Sequence, residues 1–205
     1  MPDTRQRILD ASLDLFSQSG YAAVSIRDIC ARVRVREGTI YYHFPNKRAI
    51  AEEILRAFAR AAQEKMAPLE AALQGMDRAP GEGFHRAACD AFLDSYFLDD
   101  FCNRVLRFLS MERFHSAEAR ALYDRWMFQE PLAFQERVFS RLLALPAVSG
   151  ADGARLALRF YAPILLYAQR WLFSGALTQE NRERFRAEAG RHIAQFFGEI
   201  GGTRA

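Results

Sequence analysis

The chain has 205 residues, of which 50% are apolar and 26% are charged, and its formal net charge is +3. This length and composition allow a sizeable folded core and exclude a disordered chain. Every apolar run is interrupted by charge before the ~20 residues that a bilayer span requires, so we expect no membrane partner.

The excess positive charge lies at the start of the chain. Residues 1–48 contain eight Lys or Arg and five Asp or Glu, whereas residues 49–205 contain twenty of each. Such a local excess of cations is the electrostatic footprint of a surface that neutralises phosphates. The charge pattern therefore indicates that the first part of the chain meets nucleic acid.

The cysteine and histidine patterns indicate neither a disulfide framework nor a metal site. Cys30, Cys89 and Cys102 are odd in number and lack C-x-x-C spacing, which favours a reduced, cytoplasmic compartment. We expect no metal and no cofactor, because no His, Cys and carboxylate residues share ligand spacing. The N-terminus has charges but no apolar segment after them, so we expect no secretory signal.

Three helices are predicted in the first 46 residues. The first is capped by Asp3 or Thr4 and runs to about Ser19, where Gly20 supplies a left-handed stop. Ser25 followed by Asp28 resembles a capping box, and it places the start of the second helix at Ile26. After a turn at residues 34–36, a short third helix covers about Glu37 to Phe44, before Pro45.

The third helix buries only one narrow face. Ile40 and Phe44 lie one turn apart on that face, which leaves the polar and aromatic side chains directed elsewhere. Gly38 permits a close approach to the wall of a DNA groove, while the exposed side chains can donate hydrogen bonds to phosphate oxygens. Any two-helix corner with several arginines would share part of this pattern, so an ordinary structural corner is the alternative.

Residues 38–44, Gly-Thr-Ile-Tyr-Tyr-His-Phe, followed by Asn46 and Lys47, resemble the helix-turn-helix of the TetR (tetracycline-repressor) family. The resemblance covers roughly the first 55 residues. It implies an all-α fold, with a three-helix helix-turn-helix head at residues 1–46 and a larger helical ligand-binding and dimerisation body at residues 47–205. It also implies a set of DNA-binding residues: Ser25, Arg27, Arg36, Glu37, Gly38, Thr39, Tyr41, Tyr42, His43 and Lys47.

Three positions depart from the family pattern. Arg34 stands where glycine is usual in the turn, Arg36 where a small capping residue is usual, and Glu37 where Lys or Gln often reads a base. Losing the cap should cost about 1 kcal/mol at the start of the helix. The Glu37 carboxylate has two possible roles, because it can favour the helix dipole or accept from a cytosine amino group.

The middle of the chain is predicted to be helical and rich in rings. A long helix runs from about Lys47 to Leu73, a Gly-rich loop covers Gly75–Gly83, and helices follow at about Phe84–Phe97, Asp100–Phe114 and Ala117–Leu145, the last kinked at Pro131. The rings form either a solid core or the lining of a cavity. The resemblance implies an inducer pocket here, for which we select Phe92, Tyr96, Arg104, Arg107, Phe108, Met111 and Trp126.

The last two predicted helices need a partner. A helix at about Asp152–Phe173, bent at Pro163, is apolar on two sides, and a final helix from Thr178 to about Ile200 carries another apolar face. A second copy would cover both helices in a two-fold four-helix interface, as the resemblance also implies. We select Leu158, Leu165, Leu172, Ile193, Phe196 and Phe197 for this interface, with a wholly intrachain core as the alternative.

These features predict a homodimeric transcriptional regulator, namely a repressor released from a palindromic operator in double-stranded DNA by a small apolar or amphipathic ligand. An enzyme is not expected, because the sequence contains neither G-x-S-x-G, nor H-E-x-x-H, nor a phosphate-binding Gly-rich loop. Two alternatives within DNA binding stay open: a ligand-independent architectural protein, and an activator of the same fold.

Overall fold

The structure is a computed structural model that describes residues 3–74, 89–143, 152–174 and 177–202. The described residues form helices and contain no strand, which confirms the predicted all-α class. Within the same ranges, no helix is long and apolar enough to cross a membrane. The predicted loop at Gly75–Gly83, the start of the predicted helix at Phe84 and the predicted stop at Gly175 lie outside the described residues.

The helices closely follow the predicted boundaries. They are α1 (Thr4–Ser19), α2 (Ile26–Val33), α3 (Glu37–His43), α4 (Lys47–Gln74), α5 (described from 89 and ending in a π-helical turn, Leu93–Phe97), α6 (Asp100–Glu112), α7 (Ala117–Asp124), α8 (Glu130–Leu143), α9 (Gly153–Ala168) and α10 (Gln179–Gly202). A second π-helical turn, Arg125–Gln129, joins α7 to α8, and a third, Gln169–Phe173, extends α9.

The backbone divides into two compact units. Unit 1 contains the described residues up to Glu64 together with Asp100–Tyr123, and unit 2 contains Lys65–Asp99 together with the described residues from Asp124 onward. Helices α6 and α7 therefore belong to the same unit as the predicted head. The predicted division between residues 46 and 47 is a functional boundary, and it stays a prediction.

Unit 1 is built around α1. Its Ile8, Leu13 and Phe16 are almost fully buried, whereas Leu15 is half-buried. The Phe16 ring stacks on Phe108 of α6, with 5.4 Å between the ring centroids. This aromatic contact fixes α6 to the first helix of the head.

The first turn of α2 and the turn after it follow from local chemistry. Ser25 and Asp28 form the predicted capping box: the Ser25 side chain accepts from the Asp28 backbone N–H, while the Asp28 carboxylate accepts from the Ser25 backbone N–H. The Ser25 hydroxyl and the Ser25 backbone N–H both donate to the Asp28 carboxylate, and these two hydrogen bonds lower the pKa of Asp28. After α2, Arg34 adopts a left-handed conformation with φ of 61°, at the position where the family pattern has glycine. A side chain there costs about 1–2 kcal/mol relative to a right-handed residue.

A proline explains the π-helical turn between α7 and α8. Pro131 has no N–H, so it cannot donate to the carbonyl of Met127 in an α-helical turn or of Trp126 in a π-helical turn. In unit 2 these two carbonyls accept from side chains instead: the Tyr161 hydroxyl donates to Met127 at 2.9 Å, and the Tyr96 hydroxyl donates to Trp126. Both tyrosines are about 98–99% buried. The expected kink at Pro131 is thus a π-helical turn whose carbonyls are satisfied from α5 and α9.

Removing one of these hydroxyls should destabilise the protein. Tyr161→Phe leaves the Met127 carbonyl buried without this donor, which should lower the free energy of unfolding by about 1–2 kcal/mol. Tyr167→Phe is the control, because Tyr167 is half-buried in the same helix and donates no hydrogen bond among the described residues. Denaturant unfolding of both variants checks the prediction, which is wrong if the two lose equal stability.

Candidate nucleic-acid interface

Helix α3 has seven residues and shows two different faces. Ile40 and the following Phe44 are buried, as predicted, whereas Tyr41 is 50% exposed and Tyr42 is 85% exposed. The Tyr42 ring touches His43 edge-on, with 5.0 Å between the ring centroids. Two adjacent exposed tyrosines on a short helix leave phenol hydroxyls and ring faces available to an external partner.

Gly38 lies on the exposed side of α3. An added Cβ atom at this position would meet no atom of the described residues within 4 Å. Packing within the chain therefore does not require glycine here, and glycine lowers helix stability relative to alanine. The open space fits a surface that a partner approaches closely.

Glu37 forms an ion pair with Arg27 on the same surface. The Arg27 Nε lies 3.2 Å from the Glu37 carboxylate, and the side chains are 88% and 47% exposed. Glu37 is also the first residue of α3, where a carboxylate favours the helix dipole. An exposed ion pair is worth little in water, so this contact leaves both predicted roles of Glu37 available.

Arg36 and Thr39 occupy the start of α3. Arg36 is the N-cap residue but makes no side-chain capping bond, so the loss of the usual small cap is not repaired within the chain. Its backbone carbonyl accepts from the Thr39 N–H at 2.9 Å. The exposed guanidinium groups of Arg34 and Arg36 make no ion pair with another described residue, so both are available to phosphates.

Other basic residues of the head are occupied within unit 1. Arg7 donates to the Val33 carbonyl at 2.6 Å, Arg5 pairs with Glu53 at 3.2 Å, and Arg48 pairs with Glu52 at 2.7 Å, while Arg32 pairs with Asp14. Among these, Arg7 holds the C-terminal end of α2 against α1. The positive charge that the sequence shows at the N-terminus is therefore partly structural.

Lys47 has a role in the fold that the sequence did not indicate. Its ammonium group donates to the backbone carbonyls of Tyr21 at 2.7 Å and Val24 at 2.6 Å, and it lies 4.0 Å from the centroid of the Tyr21 ring. Burial lowers the pKa of Lys47, and the nearby carboxylates of Glu112 and Asp28 oppose this shift. Two of its three N–H donors are used inside the chain, so the predicted phosphate contact rests on the third.

The Ser25 hydroxyl is also used in hydrogen bonds within the chain. It accepts from the Asp28 N–H and also lies 2.7 Å from an Asp28 carboxylate oxygen, to which it donates. A phosphate contact through this hydroxyl would compete with the capping box. The rest of the predicted DNA site on α3 is not engaged in these internal hydrogen bonds. We call this surface the α3 face, and it consists of Arg36, Gly38, Thr39, Tyr41, Tyr42 and His43.

The predicted ligand residues are divided between the two units. Phe92, Tyr96 and Trp126 lie in unit 2, where the rings of Phe92 and Tyr96 stack with 5.5 Å between their centroids. Phe108 packs on Phe16 in unit 1. The structure thus brings Phe92, Tyr96 and Trp126 together and gives Phe108 a place in the core of the head unit.

The other three predicted ligand residues are on α6. Arg104 forms an ion pair with Asp100 at 2.7 Å. Met111 is half-buried, and Arg107 has its pKa lowered by burial. In the described residues, no group of three His, Cys, Asp or Glu side chains is placed to hold a metal ion.

The predicted dimer residues separate by exposure. Leu172, Ile193 and Phe196 are at least 97% buried within the chain, where Phe196 packs edge-on against Phe139 and Phe160. These side chains serve the core of unit 2 because α10 packs that face on α9. Leu165 and Phe197 are half-buried, and Leu158 is 56% exposed.

The sequence analysis missed Leu166, which is 64% exposed. Its position in the helix was the available signal, because it lies eight residues after Leu158 and four after Ala162, on one side of α9. Arg155, Leu158, Ala162 and Leu166 form this exposed side, which we call the α9 face. The outer side of α10 carries the small residues Ala187, Ala194 and Gly198.

Comparison with known proteins identifies the head. Residues 8–54 match the family described as bacterial regulatory proteins, tetR family. The chain is 39% identical over 62 residues to the HTH-type transcriptional regulator UidR of Escherichia coli K12, and 37% identical over 54 residues to the HTH-type transcriptional repressor KstR2 of Rhodococcus jostii. These matches cover 28% and 26% of this chain and only 32% and 26% of the two relatives. They concern the N-terminal segment alone.

Solved structures resemble the whole chain in fold. A protein from Mesorhizobium loti MAFF303099 assigned to the TetR family of transcriptional regulators superposes with a TM-score of 0.69, at 16% identity, over 96% of each chain. AibR, solved with isovaleryl coenzyme A and operator DNA, gives a TM-score of 0.62 at 19% identity, over 92% of this chain and 97% of AibR. The family and these relatives are regulators of transcription, not enzymes. Residues 8–54 of this chain therefore carry the helix-turn-helix of the TetR family, and the chain shares its fold with solved proteins assigned to that family.

Proposed function

We propose that the protein is a DNA-binding transcriptional regulator that grips an operator through the α3 face. The observation that carries this proposal is the exposure of Tyr41 and Tyr42 beside a glycine with open space around it. Phenol hydroxyls and the guanidinium of Arg36, which pairs with no other described residue, suit phosphate oxygens, while Thr39 and His43 carry polar groups that can bond to base edges. Family membership supports the same conclusion.

The α3 face has the size of a recognition surface for one half-site. A single seven-residue helix contacts only a few base pairs, so tight binding needs two copies on one duplex. In a two-fold dimer the two α3 helices enter successive major grooves, and the half-sites then lie about 34 Å apart along the DNA. We therefore propose a palindromic operator.

Substitutions at Gly38 test the groove contact. Gly38→Ala should raise or preserve stability, since alanine is favoured over glycine in a helix by up to about 1 kcal/mol. The same change should weaken DNA binding, and Gly38→Leu should weaken it further, because a larger side chain keeps α3 away from the groove wall.

The measurement uses duplexes that the wild-type chain selects from a random library, together with thermal unfolding of each variant. Graded loss of affinity without loss of stability is the expected result. Unchanged affinity in Gly38→Leu would show that α3 does not approach DNA closely, and failure of the wild-type chain to select any duplex would contradict the proposed function itself.

We also propose that the α9 face and the outer side of α10 form the dimer interface. Leu158 and Leu166 are among the most exposed large apolar side chains of the described residues. Small residues on α10 permit close helix packing, and an added Cβ atom at Gly198 would meet no atom of the described residues within 4 Å. Burying this surface against a second copy removes apolar area from water, which drives association.

Charged residues on the α9 face should separate the protomers. Leu158→Glu combined with Leu166→Glu should give a folded monomer that binds the selected duplex weakly, because both side chains would place a carboxylate in an apolar interface. Phe114→Glu is the matched control, since Phe114 is 72% exposed and belongs to unit 1, whereas the α9 face belongs to unit 2. Sedimentation and far-ultraviolet circular dichroism check the result, and an intact dimer in the double variant would place the interface elsewhere.

For the ligand, we propose that the aromatic residues of unit 2 take part in sensing a small apolar or amphipathic molecule, whose binding releases the DNA. Phe92, Tyr96 and Trp126 are buried near one another, and AibR was solved with both an acyl-coenzyme A and operator DNA. Release requires only that the ligand prefer one of two conformations, with a coupling of about 1–3 kcal/mol.

A thermal-shift screen tests ligand sensing. Aromatic and acyl compounds that raise the melting temperature should also lower the affinity for the selected duplex, because both effects arise from the same preferred conformation. Trp126→Ala should remove the shift for such a compound. A chain that no compound stabilises, or whose stabilising compounds leave DNA binding unchanged, supports the architectural alternative. Activation instead of repression stays open, because it depends on where the operator lies relative to the promoter.

A further inference from the structure

One acidic side chain in unit 1 is buried away from the α3 face and is not explained by the aromatic core. Glu112, the last residue of α6, is only 8% exposed. Its carboxylate accepts a hydrogen bond from the backbone N–H of Tyr21 at 2.9 Å. Burying a carboxylate costs desolvation free energy unless the group is paired or hydrogen-bonded. The hydrogen bond from Tyr21 offsets that cost, which an apolar residue at this position would not incur.

The bonded residue lies in the loop between α1 and α2, residues 20–24. This loop leads directly into Ser25, the N-cap of α2. Its entry is Gly20, which has φ of 80° and lies so close to Glu112 that an added Cβ atom would be 3.4 Å from the carboxylate. The loop therefore follows a fixed path against the end of α6.

The same loop is held from a second helix. Lys47, the first residue of α4, donates to the carbonyls of Tyr21 and Val24, and it follows α3 by only three residues. Glu112 and Lys47 thus bind the two backbone polar groups of Tyr21. The Glu112 carboxylate accepts from the Tyr21 N–H, and the Lys47 ammonium group donates to the Tyr21 carbonyl. One hydrogen-bond network therefore connects the loop before α2, the junction after α3 and the end of α6.

We infer that Glu112 is a positioning residue for DNA binding, which fixes the orientation of the α3 face by tying the 20–24 loop, and through Lys47 the end of α3, to α6. The inference rests on the proposed function, because it assigns Glu112 a part in presenting the α3 face to DNA. Glu112 itself touches no DNA in this scheme. In this role the length of the Glu112 side chain and its acceptor oxygen determine whether the bond to Tyr21 forms, and the negative charge contributes less.

This role has a consequence for movement. A helix of 13 residues such as α6 is a rod about 20 Å long. Displacement of its end by more than about 1 Å stretches the hydrogen bond to Tyr21 beyond its normal range or moves the loop with it. Displacement of α6 therefore reaches α2 and α3 through a specific atom pair.

Two substitutions at Glu112 separate reach from charge. Glu112→Gln keeps the length and an acceptor oxygen but removes the charge, whereas Glu112→Asp keeps the charge but is one methylene shorter. We expect Glu112→Asp and Glu112→Ala to weaken binding to the selected duplex at least about tenfold, and Glu112→Gln to stay within about threefold of the wild type, because lost preorganisation lowers affinity without removing a contact.

Leu106→Ala is the matched control for a merely structural effect. Leu106 is fully buried in the same helix, so its truncation lowers the melting temperature but removes no hydrogen bond to the 20–24 loop. Affinity is measured well below the melting temperature of every variant. Glu112→Asp that binds like the wild type, or Leu106→Ala that loses as much affinity as Glu112→Ala, would overturn the inference.

Amide hydrogen exchange gives a readout that does not need DNA. In Glu112→Asp, exchange should accelerate at Tyr21 and through α2 and α3, and stay unchanged in Glu112→Gln. If the wild-type chain selects no duplex, the proposed function fails, yet this measurement still decides whether Glu112 holds the loop. Unaltered exchange at Tyr21 in Glu112→Asp would contradict the inference regardless of the DNA result.

Discussion

A seven-residue helix is not stable in water by itself. The conformational free energy needed to nucleate a helix exceeds the stabilisation that the hydrogen bonds of two turns provide. The conformation of α3 therefore depends on what it is packed against and on what holds its ends. Ile40 and Phe44 provide the packing, since both are at least 97% buried. Lys47 fixes the junction that follows. The exposed side chains are free to meet DNA only because these few contacts define the helix.

The cations of the head divide into two groups on the same grounds. Arg7 and Lys47 donate to backbone carbonyls, so they stabilise the corner between the helices. Arg34 and Arg36 are exposed, and their charge is available to phosphates. A net charge counts both groups equally, although the second group has more of its donors free to neutralise phosphates and release counterions in the proposed DNA complex. The sensitivity of binding to salt should therefore reflect fewer cations than the sequence contains.

Local signals made much of the fold predictable. The Ser25 and Asp28 capping box, Gly20 at the end of α1 and the buried face of α3 each depend on residues within four positions of one another. The contacts of Lys47 and Glu112 depend on residues 23 to 91 positions away, and no periodicity predicts such a pairing. The choice of residues for the dimer interface stays a prediction, and it meets another limit of sequence patterns. Periodicity shows that α9 and α10 are apolar, but it cannot tell which apolar side the chain covers for itself.

The two tyrosine hydroxyls that cap the π-helical turn before Pro131 limit how unit 2 can change shape. The hydroxyls come from α5 and α9, and each binds one specific carbonyl of a neighbouring turn. Sliding α8 by a single residue along its neighbours would strand both oxygens in an apolar interior at once. When a molecule binds, these three segments should therefore tilt together as a block. A shift in register is disfavoured because it would break two buried hydrogen bonds at once.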